Sequence, residues 1–112
     1  MKKLFLKFVN WLRNRKRVKK YSHTIFVESI LDVPEKIGKR IYVVDRGGTK
    51  RWAVFLCACS RKNRVEVNLM KTKEPHWELS ISNGKITLSP SVVVTGKCSC
   101  HFWLRNSKAY LC

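Results

Sequence analysis

Acidic residues are scarce in this chain. Only 7 Asp plus Glu stand against 24 Lys plus Arg, giving a net charge of +17 over 112 residues. That imbalance predicts attraction to polyanions, whether nucleic acid, anionic lipid or an acidic protein, and says nothing about fold. Long apolar runs are also missing, and none approaches the roughly 20 residues of a membrane-spanning helix. A secretory signal is lacking too. Lys2 and Lys3 precede Leu4-Phe5-Leu6, but Lys7, Asn10 and Arg13 break the apolar stretch and no small-residue cleavage site follows. A cytoplasmic location is therefore expected. No internal repeat is visible, and no low-complexity stretch beyond a basic N-terminal segment.

Cysteine is not lacking. In a reducing compartment, five cysteines read as thiols or metal ligands rather than disulfides, and an odd count fits a disulfide framework badly.

The charge is unevenly spread. Residues 1–20 hold nine basic side chains and no acid, and residues 21–112 carry the rest. The expected organisation is a basic helical extension over 1–20 followed by a β domain over 21–112. On a helical wheel Leu4, Phe5, Phe8, Val9, Trp11 and Leu12 share about half the circumference. Such a stripe faces the domain core, or lies on a membrane surface with Phe8 and Trp11 at the headgroups. Alternatively Arg13, Arg15, Lys16, Arg17, Lys19 and Lys20 form a polyanion-binding arm.

From Tyr21 onward the pattern predicts strands. Segments 23–27, 40–44, 51–56, 64–69, 76–81, 85–88, 91–95, 102–104 and 109–111 are β-branched, aromatic or alternating. Gly47-Gly48 and Asn83-Gly84 mark turns, the second a strong hairpin signal. The expected fold is mostly β: a small antiparallel sheet or sandwich of hairpins. Trp52, Trp77 and Trp103 are expected in its core.

The chemistry-bearing residues cluster. Cys57 and Cys59 end one predicted strand. Cys98, Cys100 and His101 follow about forty residues later, and Cys112 is last. Paired soft donors at strand–turn junctions resemble the assembly of a zinc ribbon, and thiolate and imidazole select Zn. Cys57, Cys59, Cys98 and His101 are the expected ligands, with Cys112 and Cys100 in reserve. A closed structural site is favoured over a catalytic one, because Glu66, Glu74 and Glu78 are the only acids beyond Cys57. The competing readings are simple burial of the cysteines, and a nucleophilic cysteine assisted by His101.

Residues 33–112 resemble a known family. The likeness runs through Val33-Pro34, Ile41-Tyr42-Val43-Val44, Trp52 to Cys59, Val67-Asn68-Leu69, Pro75-His76-Trp77 and Thr87-Leu88-Ser89-Pro90-Ser91. It ends with Cys98-Ser99-Cys100-His101-Phe102-Trp103-Leu104 and Cys112. The family comprises small bacterial proteins of unassigned function, similar to those encoded beside ubiquitin-like conjugation genes. Those neighbours are an adenylating enzyme, a conjugating protein, a JAB-type peptidase and multi-ubiquitin-like polypeptides. The family's first cluster is usually Cys-Pro-Cys-Gly-Cys-like, and this chain departs from it with Cys57-Ala58-Cys59-Ser60-Arg61. The resemblance implies Cys57, Cys59, Cys98, His101 and Cys112 as site positions, and a protein partner in a ubiquitin-like system.

The functional expectation is a zinc-stabilised, non-enzymatic accessory or adaptor of such a system. The alternatives are a nucleic-acid-binding protein and a cysteine-dependent enzyme with Cys98 as nucleophile.

Overall fold

The computed structural model describes residues 18–59, 63–95 and 99–111. Alternating apolar residues produce ten strands among them: β1 (Val18–Lys20), β2 (Thr24–Val27), β3 (Ile41–Arg46), β4 (Thr49–Leu56), β5 (Arg64–Asn68), β6 (Glu78–Ser82), β7 (Lys85–Ser89), β8 (Val92–Val94), β9 (Cys100–Arg105) and β10 (Lys108–Leu111). The expected mostly-β character holds. The extension expected as a helix over 1–20 lies outside the described residues as far as residue 17. Its last three residues, Val18–Lys20, are a strand rather than a helix, because they pair with β10.

Two four-stranded sheets and one hairpin make up the structure. One sheet runs β1-β10-β9-β8, the other β2-β3-β4-β5, and β6-β7 stand as a pair. All pairings are antiparallel except β2 with β3. A parallel pair needs a crossover of roughly a dozen residues. Residues 28–40 supply it, with a 3-10 turn at Ile30–Asp32 capped by the Ser29 side chain. The expected antiparallel sheets of hairpins hold, with this parallel pair as the one exception among the described pairings. The parity of a strand sets which face it buries, but not the direction of its neighbour.

The main core forms where three inner faces meet. Ile41, Val43, Ala53, Phe55 and Val67 come from the β2–β5 sheet, Ile86 and Leu88 from the hairpin, and Val92, Phe102, Leu104 and Ala109 from the β1-β10-β9-β8 sheet. Phe55 bridges the layers, with edge-on ring contacts to Tyr21 at 5.5 Å and to Phe102 at 6.1 Å. Beneath the crossover, Val33 and Ile37 cover Tyr42, Val44 and Val54 on the far side of the β2–β5 sheet.

Turns fix the registers. Asn83 and Gly84 both take positive φ, 52° and 75°, as the two-residue hairpin between β6 and β7 requires. Asn106 and Ser107 do the same between β9 and β10. Ser107 is buried; its N–H donates to the Ile86 carbonyl, and its Oγ accepts from the Ile86 N–H. The β9–β10 turn is thereby fastened to β7.

The three strand tryptophans do not share one environment. Trp77 is half-buried against the main core and Trp52 against the second cluster. Trp103 faces outward, because β9 buries alternate residues and Phe102 and Leu104 occupy the inward positions. Its expected place in the core is corrected by that parity.

Candidate serine–histidine site

The β7–β8 connection is short. Leu88 is anchored in the core, Ser89 ends β7, Pro90 follows, and Ser91 directly precedes β8. Ser91 therefore has little freedom to wander. Its carbonyl is held from the side by the Trp77 indole Nε1, which donates at 3.1 Å.

Trp77 is positioned in turn by Asn68. The Trp77 N–H donates to the Asn68 carbonyl at 2.8 Å. The Asn68 amide gathers the intervening loop, donating to the carbonyls of Met70, Lys73 and Pro75 and accepting from the Met70 N–H. Asn68, Trp77 and Ser91 form a continuous hydrogen-bonded support reaching from β5 to the start of β8.

His101 arrives from the neighbouring strand. Its Cα partner on β8 is Val93, two residues beyond Ser91. Diagonal neighbours on one face of an antiparallel pair lie about 7–8 Å apart, within reach of a long side chain. The imidazole spans that gap, and Ser91 Oγ lies 2.7 Å from His101 Nε2. With the ring proton on Nδ1, Nε2 accepts from the serine hydroxyl. This is the separation a base needs to take the proton of a nucleophilic hydroxyl.

Among the described residues no carboxylate is hydrogen-bonded to His101. Glu74 lies 2.6 Å from His76, and Glu66 is paired with Arg64 at 3.2 Å. Among the described residues the arrangement is thus a serine–histidine pair without an orienting acid, in keeping with the chain's few acidic residues.

A family model described as bacterial ubiquitination-like system serine protease (BubE) matches residues 26–112. The chain belongs to this family. No curated protein and no solved structure matches the chain. The family's ubiquitination-like setting agrees with the resemblance read from the sequence. Its described activity overturns the expectation of a non-enzymatic adaptor, which rested on a closed structural metal site and on the resemblance to proteins of unassigned function. The shortage of acids was weighed only against a catalytic metal, and it does not bear on a serine–histidine pair, whose first proton transfer needs no nearby acid.

The cysteine-enzyme alternative gains nothing from the geometry. Cys100, next to His101 in sequence, points into the main core while His101 points out. Cys98, the thiol suggested as nucleophile, and Cys112 lie outside the described residues.

The other expected ligands are partly placed. Cys57 is buried at the end of β4, Cys59 is exposed on the following turn, and their Sγ atoms are 3.9 Å apart. Two thiolates bound tetrahedrally at 2.3 Å to one zinc stand about 3.8 Å apart. Among the described residues no three potential ligands converge. Of the basic residues proposed for polyanions, Lys19 and Lys20 lie in β1, and Arg13, Arg15, Lys16 and Arg17 lie outside the described residues. No helix among the described residues is long and apolar enough to cross a membrane.

Ser91 escaped sequence reasoning as a nucleophile; it entered only as a strand start and as part of the Pro90-Ser91 stretch that carries the family resemblance. The local signal is weak: a serine after proline, ten residues before a histidine. The pairing exists only through the β8–β9 register.

Proposed function

We propose that the chain is a serine protease of a bacterial ubiquitination-like system, with Ser91 as nucleophile and His101 as its general base. The single observation that carries this reading is the 2.7 Å approach of Ser91 Oγ to His101 Nε2, in a chain whose family is described by that activity. Ser91 Oγ attacks the carbonyl carbon of the scissile amide, and its proton passes to His101 Nε2. The resulting imidazolium returns the proton to the leaving amine, freeing it and leaving an acyl-serine. A water molecule, deprotonated by the same nitrogen, then releases the acid. The substrate is a polypeptide of the modification system.

The test is labelling with a small fluorophosphonate. Native protein should acquire one adduct, located on Ser91 by peptide mass spectrometry. Ser91→Ala should take none, and His101→Gln should react on the order of 100-fold more slowly or less, the usual scale for a general base. An adduct on another serine, or equal labelling of the His101→Gln protein, would defeat the assignment.

We further propose that Cys57 and Cys59 hold a structural zinc together with Cys98 and Cys112. The 3.9 Å sulfur separation supports the first two as ligands of one ion. Cys112 takes the place first expected for His101, whose Nε2 is engaged with Ser91. Cys100 is left to the core. Such an ion would contribute folding free energy directly in a domain of this size. Metal analysis should find one zinc per chain in native protein and in His101→Ala alike. Loss of zinc in His101→Ala would restore the quartet Cys57, Cys59, Cys98 and His101.

A further inference from the structure

The outer face of the β1-β10-β9-β8 sheet is unusual for a solvent-facing surface. Strand parity places His101, Trp103 and Arg105 on it from β9, and the register adds Val93, Tyr110 and Lys108. Its apolar members are well exposed: Val93 at 61%, Tyr110 at 41% and Trp103 at 37%. The Arg105 guanidinium lies over the Trp103 ring, 5.1 Å from its centroid. A guanidinium stacked in this way still presents donors to an incoming carboxylate. Among the described residues no acidic side chain stands on this face.

The face is continuous with the serine–histidine pair. His101 belongs to both. Trp103 is two residues along the same strand face, about 7 Å away at the usual strand rise, and Arg105 is another step beyond.

We infer that this face binds an acidic, apolar-containing stretch of the polypeptide substrate and leads it to Ser91. The inference rests on the proposed role of Ser91 and extends it to substrate class. Charge decides the occupant. Residues 1–17 of the chain carry seven basic side chains and no acid, so they offer Arg105 and Lys108 no opposite charge. A second copy carries the same net +17. A partner with carboxylates flanking an apolar or aromatic residue complements both the rings and the cations. A nucleic acid would meet the same cations, but it offers no acyl bond to the adjoining serine.

The test uses full-length protein and a dye-labelled random copolymer of glutamate and tyrosine. Binding is read by fluorescence anisotropy, with a 20-nucleotide single-stranded DNA as the competing probe. Trp103→Ala and the double variant Arg105→Glu with Lys108→Glu should each weaken copolymer binding at least tenfold. The double variant Lys36→Glu with Lys39→Glu makes the same change in net charge at exposed positions elsewhere. It should stay within threefold of native. Bound copolymer should also slow fluorophosphonate labelling of Ser91 at least fivefold in native protein, and leave the Arg105/Lys108 variant's labelling rate unchanged.

Equal weakening by both charge reversals would reduce the effect to net charge and overturn the inference. So would DNA that binds more tightly than the copolymer and responds to the same variants, or copolymer that binds without slowing the labelling. Failure of Ser91 to label in the absence of copolymer is a separate result. It removes the protease reading itself, and with it the substrate track built on that reading.

Discussion

At the scale of single residues, the proposed site depends on the atoms that hold Ser91 as much as on Ser91 Oγ and His101 Nε2 themselves. The Trp77 indole N–H is the one donor described on the Ser91 carbonyl. Trp77→Phe keeps the aromatic packing and removes that donor. A lost hydrogen bond of this kind costs about 1–3 kcal/mol where the acceptor is left buried and unsatisfied, and less where water reaches it. The site is open to water, so the stability loss should be small. The fluorophosphonate labelling rate should still fall by about tenfold, since a serine displaced by a fraction of an ångström reacts poorly. A rate equal to native would mean that the indole packs without positioning. Asn68 lies one step further back. Asn68→Ala releases four hydrogen bonds that shape the loop before Trp77. It should lower both thermal stability and labelling rate, whereas Trp77→Phe lowers mainly the rate.

At the scale of elements, β9 carries most of the meaning. Its alternation is strict, with Cys100, Phe102 and Leu104 inward and His101, Trp103 and Arg105 outward. One face fills the core and the other carries the proposed base, His101, and its neighbouring surface. A one-residue slip would exchange the two sets. The β9–β10 turn guards against that slip through Ser107, whose two bonds to Ile86 measure 2.7 Å and 3.0 Å. Ser107→Ala leaves the Ile86 N–H without its acceptor in a buried setting. The expected cost is about 1–3 kcal/mol in denaturant unfolding. An unchanged midpoint would show that the turn is held by backbone pairing alone. The element reading of the sequence did well for the same reason that β9 is informative. Runs such as Arg64 to Leu69 alternate visibly, and Asn83-Gly84 announces its turn. It did less well at the N-terminal junction, where Val18–Lys20 looked like the end of a helix. Nothing local in those residues specifies β10 as their partner.

At the scale of the whole molecule, the layers meet through few large side chains. Phe55 is fully buried and touches rings from both sides. Phe55→Ala should destabilise the protein by about 3–5 kcal/mol through lost burial and the cavity left behind. Against a total stability of roughly 5–15 kcal/mol for a domain, that is a large share. The expected fall in melting temperature is more than about 10 °C. The proposed zinc acts at the same scale. A chelator should lower the melting temperature of native protein, and Cys57→Ser or Cys98→Ser should abolish metal binding. Unchanged melting after chelation would leave the cysteines as packing residues.

What the sequence settled alone was what is local or additive. The period-two alternation gave most of the strands, though not the outward face of Trp103, and the glycine and asparagine turns gave two hairpins. The net charge of +17 follows from composition alone. The serine–histidine pair belongs to the tertiary structure. Ser91 just precedes β8 while His101 lies on β9, and they meet only because Val93 sits opposite His101. Inter-strand register is fixed by packing across the whole core, and a proton can pass between two side chains only when that packing brings them within a hydrogen bond.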